Sequence, residues 1–205
     1  MQQMTYIGNN KERFFIVDSH KAMYSHPIEC GHCTSKVTPI LLVQRLDQHN
    51  VPTNREIMIC PSCQKAISRL GPDAYFPSPK FGASIEGLPA EIETAFEDAR
   101  SCMSVNALIA AELLARTLLM HVAVEKGDTP GKSFVAYIDY LEANNFITIT
   151  MKPWVDEIRK IGNNATHRIS AADRQRTELT MTFLEMLLRN IYEMPHKLTK
   201  YQSTP

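Results

Sequence analysis

The chain has 205 residues, with 22 Lys and Arg balancing 22 Asp and Glu and 44% apolar residues. That length and composition suit one or two domains with a real core and exclude a disordered chain. A formal net charge of zero excludes the global basic field that drives nonspecific nucleic-acid binding. The charge is nevertheless divided. Residues 1–70 carry eight basic and five acidic side chains, and residues 71–205 carry fourteen and seventeen. The opening Met1-Gln2-Gln3-Met4-Thr5 lacks the basic and apolar regions of a signal peptide. The longest apolar helical run, Ala107 to Val124, is interrupted by Glu112, Arg116 and His121, and reads as a buried helix rather than a membrane span. The expectation is a cytoplasmic protein with no membrane partner, whose paired cysteines are metal ligands rather than disulfides.

Residues 1–70 read as strands and turns, a zinc-ribbon domain. Phe14-Phe15-Ile16-Val17, Ile40-Leu41-Leu42-Val43 and Glu56-Ile57-Met58-Ile59 are short apolar runs bounded by polar turns. Cys30-Gly31-His32-Cys33 and Cys60-Pro61-Ser62-Cys63 are two C-x-x-C motifs separated by 26 residues, enough for a hairpin. Each such turn presents two thiolates, and four soft ligands in a tetrahedron are what Zn²⁺ prefers. Cys30, Cys33, Cys60 and Cys63 are therefore the expected ligands of a structural zinc. A redox C-x-x-C, or a site in which His20, His26 or His32 replaces a cysteine, are the competing readings. Neither pair has the strand-to-helix context of a redox motif. Four cysteines leave no open coordination position, so such a zinc implies folding rather than catalysis.

Residues 71–88 read as a linker, punctuated by Gly71-Pro72, Pro77, Pro79, Gly82 and Gly87, and are expected to form an ordered strap. From Pro89 the apolar period becomes helical, and residues 89–195 read as a bundle of four or five helices. Pro89 starts the first, with Glu91 and Glu93 in its first turn and Ile92, Phe96 and Ala99 inward. Cys102 on this helix reads as a small buried hydrophobe. A second helix spans about Val105 to Lys126, with His121 near its inner face. A third spans about Ser133 to Ala143. A fourth starts at Lys152-Pro153-Trp154 and is expected to break at Gly162-Asn163. Ser170-Ala171-Ala172-Asp173 resembles the cap of a last helix that Pro195 ends, leaving 196–205 as a frayed tail. The fold class is thus α+β, a small β zinc ribbon followed by a helical bundle.

The most polar stretch of the bundle is Glu157 to Arg168. A helix that ends at Gly162 and turns would bring Arg159, Asn163 and His167 together, as a site or as a helix C-cap. Lys160, Arg168, Arg174 and Arg176 gather near it against one acid, Asp173, as an anion-binding patch or a solvated face.

Several motifs recur in an order that carries a resemblance. They are Tyr75-Phe76-Pro77, Leu88-Pro89, Phe96-Glu97-Asp98-Ala99, Leu113-Leu114-Ala115-Arg116, Ile158-Arg159-Lys160-Ile161-Gly162-Asn163, Ala165-Thr166-His167 and Ile191-Tyr192-Glu193-Met194-Pro195. Over about residues 72–195 the chain resembles an uncharacterised bacterial and phage domain family that is HEPN-like in fold. That family occurs at the ends of some restriction-enzyme motor subunits and behind zinc ribbons. The resemblance implies a helical, often dimeric fold. Many HEPN proteins are metal-independent ribonucleases built on an arginine and a histidine a few residues later, whereas others are binding or assembly modules. Here seven residues separate Arg159 from His167, a departure from the usual spacing.

Three functions follow. The first is a zinc-binding module for nucleic acid, RNA or DNA, or for a partner protein, linked to phage defence or restriction. The second is a ribonuclease in which His167 moves the proton, Arg159 clamps the phosphate and Asn163 orients the histidine. The third is a homodimerising scaffold without activity. The ribonuclease reading predicts metal-independent cleavage of single-stranded RNA, assayed in EDTA and abolished by His167→Ala and by Arg159→Ala. The binding reading predicts that His167→Ala changes nothing, while Lys36 or Arg55 substitution weakens nucleic-acid affinity.

Overall fold

A computed structural model describes residues 6–7, 13–16, 26–47, 49, 51–164 and 173–203, with the backbone alone for 6–7, 13–16 and 160–164. The chain divides into two compact units, Met1–Phe81 and Gly82–Pro205. The fold class is α+β, with small antiparallel sheets and a four-cysteine cluster preceding a helical region.

In the first unit, strands β1 (Tyr6–Ile7), β2 (Arg13–Ile16), β5 (Ile40–Leu46), β6 (Pro52–Ile59), β7 (Ala66–Arg69) and β8 (Tyr75–Phe76) form one antiparallel sheet in the order β1-β2-β5-β6-β7-β8. Strands β3 (Ile28–Glu29) and β4 (Lys36–Val37) form a separate hairpin. The three strands expected from apolar runs are present, β5 and β6 longer than their apolar stretches alone. The register of β5 against β6 shifts twice, between Leu41 and Val43 and between Gln44 and Leu46. Such bulges bend a strand and re-aim its side chains. Tyr75–Phe76, within the stretch that reads as a linker, adds β8 to the sheet by pairing with Ser68 and Arg69. Cys30, Met58, Cys60 and Ile67 are buried together, with Ile28, Val37, Leu41 and Tyr75 packed against them.

The second unit is built from α1 (Ala90–Ser104), α2 (Leu108–Glu125), α3 (Phe134–Ala143), α4 (Lys152–Asn164), α5 (Arg174–Leu188) and α6 (Met194–Gln202). Helix α2 packs on α1, α3 and α5, and so lies at the centre. Its small Ala111, Ala115 and Ala123 are fully buried, which lets neighbouring helices approach closely around Leu118, Leu119 and Val122. Ile92, Phe96 and Ala99 of α1 are buried as their spacing predicts. Ser133 caps α3 by accepting from the Ala136 N–H, and Asn145, with φ of 61°, supplies the left-handed turn beyond its end. Among the described residues no helix is long and apolar enough to cross a membrane.

Two helix ends differ from expectation. Helix α4 does not break at Gly162-Asn163 but continues to Asn164. A helical glycine costs only about 1 kcal/mol, and buried Val155 and Ile158 anchor the helix upstream. Nor does Pro195 end the last helix. A π-helical turn, Arg189–Glu193, follows α5, and α6 runs on from it with Pro195 as its second residue, so the helical run passes through the proline. The cap of α5 is Asp173, whose carboxylate accepts from the Arg176 N–H at 2.8 Å. Ser170 lies outside the described residues.

Residues 82–88 form an ordered strap against the bundle. Ile85 is buried. Arg100, itself buried, donates to the Gly82 carbonyl at 2.9 Å. Gly87 has φ of +77°, and a Cβ there would lie 2.6 Å from the His196 side chain, so only glycine fits without displacement. Glu193 of the π-helical turn accepts from the Glu86 N–H, from Arg189 at 2.5 Å and from Lys197 at 3.0 Å. The hydrogen bond from Arg189, then that from Lys197, holds its carboxyl down at about 2. A depressed folded-state pKa stabilises above the ordinary carboxylate value and loses that contribution as pH falls. Glu193→Gln should therefore lower stability by about 2 kcal/mol at neutral pH, measured by urea unfolding. The gap from wild type should shrink as pH falls from about 4.5 toward 2.

Candidate metal centre

The sheet and the hairpin bring two turns of the same design together. Cys30–Cys33 joins β3 to β4, and Cys60–Cys63 joins β6 to β7. In the first, Cys30 N–H donates to the Ser35 carbonyl at 3.0 Å and Thr34 N–H to the Cys30 carbonyl at 2.8 Å. In the second, Cys60 N–H donates to the Lys65 carbonyl at 3.0 Å and Gln64 N–H to that of Cys60 at 2.9 Å. Thr34 and Gln64 both have φ of 60°. A non-glycine residue in the left-handed region costs about 1–2 kcal/mol, so the turn geometry is imposed by its surroundings.

The four Sγ atoms lie within 4.8 Å of one another. Cys30 to Cys63 and Cys33 to Cys60 are each 3.8 Å. Zn–S bonds of about 2.3 Å give a regular tetrahedron with edges of about 3.8 Å, so the donor set fits zinc in chemistry and in size. None of the five cysteines is in a disulfide. Burial pushes the Cys30 thiol up to about 12, and burial likewise raises Cys63. Hydrogen bonds from the Ser35 side chain and backbone pull Cys33 down to about 6. Such a set takes up four thiolates together only around a cation, which supplies the opposing charge. The His32 ring is engaged elsewhere. Its Nε2 donates to the Ala66 carbonyl at 3.0 Å, while its backbone N–H points at Cys30 Sγ at 3.4 Å. His26 is exposed and outside the cluster, and His20 lies outside the described residues.

Sequence reasoning did not single out the residues that set this geometry. Gly31 is one, because a Cβ there would sit 2.3 Å from the Ser78 carbonyl oxygen and 2.5 Å from that of Pro77. The backbone after β8 thus closes directly over the first turn. Ser35, Thr34 and Gln64 are others. Their only signal in the sequence is position, one or two residues after each second cysteine.

The residues expected to form a second site are placed as follows. Arg159 donates to Asp139 at 2.6 Å, to Glu142 at 2.6 Å and to Asp156 at 3.3 Å. Those carboxylates offset its charge, and Arg159 in turn holds Glu142 below the usual carboxylate range. Asn163 stands in the last turn of α4 rather than beyond a break. His167 and Arg168 lie outside the described residues, as does the side chain of Lys160. Arg176 is bidentate on the buried Glu112, with contacts of 2.7–3.1 Å, and ties α5 to α2. Arg174 donates to Glu178 at 3.2 Å and Asn106 at 2.9 Å. His121 is exposed, and Cys102 is half-buried.

The fold and the cysteine cluster together define a metal-binding-type β unit attached to a helical domain. Residues 97–204, over half the chain, match the model of the family described as Domain of unknown function (DUF4145), and the chain belongs to that family. No curated protein and no solved structure matches it.

Removal of one ligand leaves one turn with a single thiol and breaks the four-sulfur set. Cys30→Ser and Cys60→Ser should each reduce bound zinc from about one ion per chain to none, measured by atomic emission. Limited proteolysis should then cut within residues 26–81 while the helical far-ultraviolet signal persists.

Proposed function

We propose that this chain is a zinc-stabilised interaction protein, in which a zinc ion on Cys30, Cys33, Cys60 and Cys63 holds the β unit in a form that engages nucleic acid. The observation that carries this reading is the gathering of the four sulfurs within 4.8 Å of one another, with two separations of 3.8 Å. A centre with four thiolates has no open position for a substrate, which supports a structural rather than catalytic metal. The basic excess of residues 1–70, eight against five, supports an anionic partner for this part of the chain. Ligands that must be thiolates suit a reducing, cytoplasmic setting. The sequence resemblance is what supports a role in phage defence or restriction. Exposed Ile109 and Leu113 on α2, and Met194, Leu198 and Tyr201 on α6, support self-association of the helical unit into a dimer. Catalysis is not part of the proposal, because Arg159 is committed to three carboxylates.

Fluorescence anisotropy with labelled RNA and DNA tests the reading. Zinc-loaded protein should bind with an affinity that falls as salt rises, and the affinity should disappear when the metal is removed. Zinc-loaded, folded protein that binds neither RNA nor DNA would refute it.

A further inference from the structure

The sheet sorts its side chains into two faces. Gln44, Glu56, Arg69 and Tyr75 are successive register partners across β5, β6, β7 and β8. Their side chains meet: Gln44 and Arg69 both donate to Glu56, at 2.9 and 3.3 Å, and the Arg69 guanidinium lies 6.0 Å from the Tyr75 ring centroid. The neighbouring row, Val43, Ile57, Ser68 and Phe76, then faces the opposite way, because strand side chains alternate.

On that second face Ile57, Leu70 and Phe76 remain 41, 57 and 49% exposed. An open hollow of about 260 Å³ lies among Val43, Arg45, Arg55, Ile57, Ser68 and Leu70. Arg45 and Arg55 stand beside the bulge between the Gln44–Glu56 and Leu46–Pro52 pairs. Glu56 also lines the hollow, but its carboxylate turns to the first face, where Gln44 and Arg69 donate to it. The face therefore combines guanidinium charge with exposed apolar and aromatic side chains.

We infer that this face docks single-stranded nucleic acid, with Arg45 and Arg55 on phosphates and Ile57, Leu70 and Phe76 against bases. The inference rests on the nucleic-acid reading above and specifies its surface. Guanidinium groups match phosphate oxygens in planar, two-pronged geometry. Bases of a single strand offer their faces to apolar and aromatic side chains, whereas a duplex hides them in its stack.

The test uses full-length, zinc-loaded protein and a labelled mixed-sequence oligonucleotide as single-stranded RNA, single-stranded DNA and RNA duplex. Arg55→Glu should weaken single-strand binding at least about tenfold and Ile57→Ser severalfold. Lys65→Glu, just after the second cysteine turn, should change it less than twofold. Zinc content and melting temperature confirm that each variant is folded. Wild-type binding that Arg55→Glu and Ile57→Ser leave intact would overturn the surface while sparing the nucleic-acid reading. Preference for the duplex would overturn the single-strand assignment alone. No binding by wild type would overturn both. Ultraviolet cross-linking of bound RNA to wild type avoids variants altogether: adducts should map to peptides of β5–β8, and adducts confined elsewhere would overturn the assignment.

Discussion

Four sulfur atoms within 4.8 Å of one another are the constraint on which the β unit depends. Two of the four, Cys30 and Cys60, are also half of its fully buried cluster, alongside Met58 and Ile67. Among the described residues this buried cluster is small, and a metal is one way a small unit gains the stability that its core does not supply. The cysteine turns therefore do two things at once. They bury apolar surface between sheet and hairpin, and they set the distance at which a cation can join them. The left-handed backbone at Thr34 and Gln64 and the close approach of Pro77 and Ser78 to Gly31 all follow from holding those sulfurs in place.

The helical unit solves a different problem. Its core is ample, centred on the alanine-rich face of α2, and its buried charged side chains are ion-paired. Arg176 on Glu112 joins two helices through a bidentate contact, and such a pair fixes geometry more than it adds stability. Glu193, placed by the π-helical turn, gathers the strap, Arg189 of that turn and α6 at one point. π-Turns are frequent where a helix must present a particular side chain, and here the side chain presented is a structural carboxylate. The long polar stretch around Arg159 is built the same way. Three carboxylates meet one guanidinium on the surface of α3 and α4, an arrangement that holds the two helices together.

Much of this was legible in the sequence. The metal centre followed from two C-x-x-C spacings, since a tight turn with paired thiols has few other uses. Pro89 and Ser133 marked helix starts because the residues that open a helix are a local signal. The failures came where tertiary packing outweighs a local signal. Gly162 reads as a break, but a helix already anchored by Val155 and Ile158 runs through it. Pro195 reads as a stop, but it directly follows a π-helical turn, where the i→i−4 ladder is already interrupted, and the helix runs on. Tyr75–Phe76 reads as linker because two residues carry no period, yet β7 offers them an edge to pair with. Arg159 reads as a site residue or part of a helix C-cap, because two of its carboxylate partners, Asp139 and Glu142, are 20 and 17 residues away.

X-ray absorption at the zinc edge of the purified protein tests the central claim most directly. The account predicts zinc surrounded by four sulfur atoms at about 2.3 Å, with no nitrogen or oxygen neighbour. A shell containing imidazole nitrogen or water, or protein that folds its β unit without zinc, would contradict it.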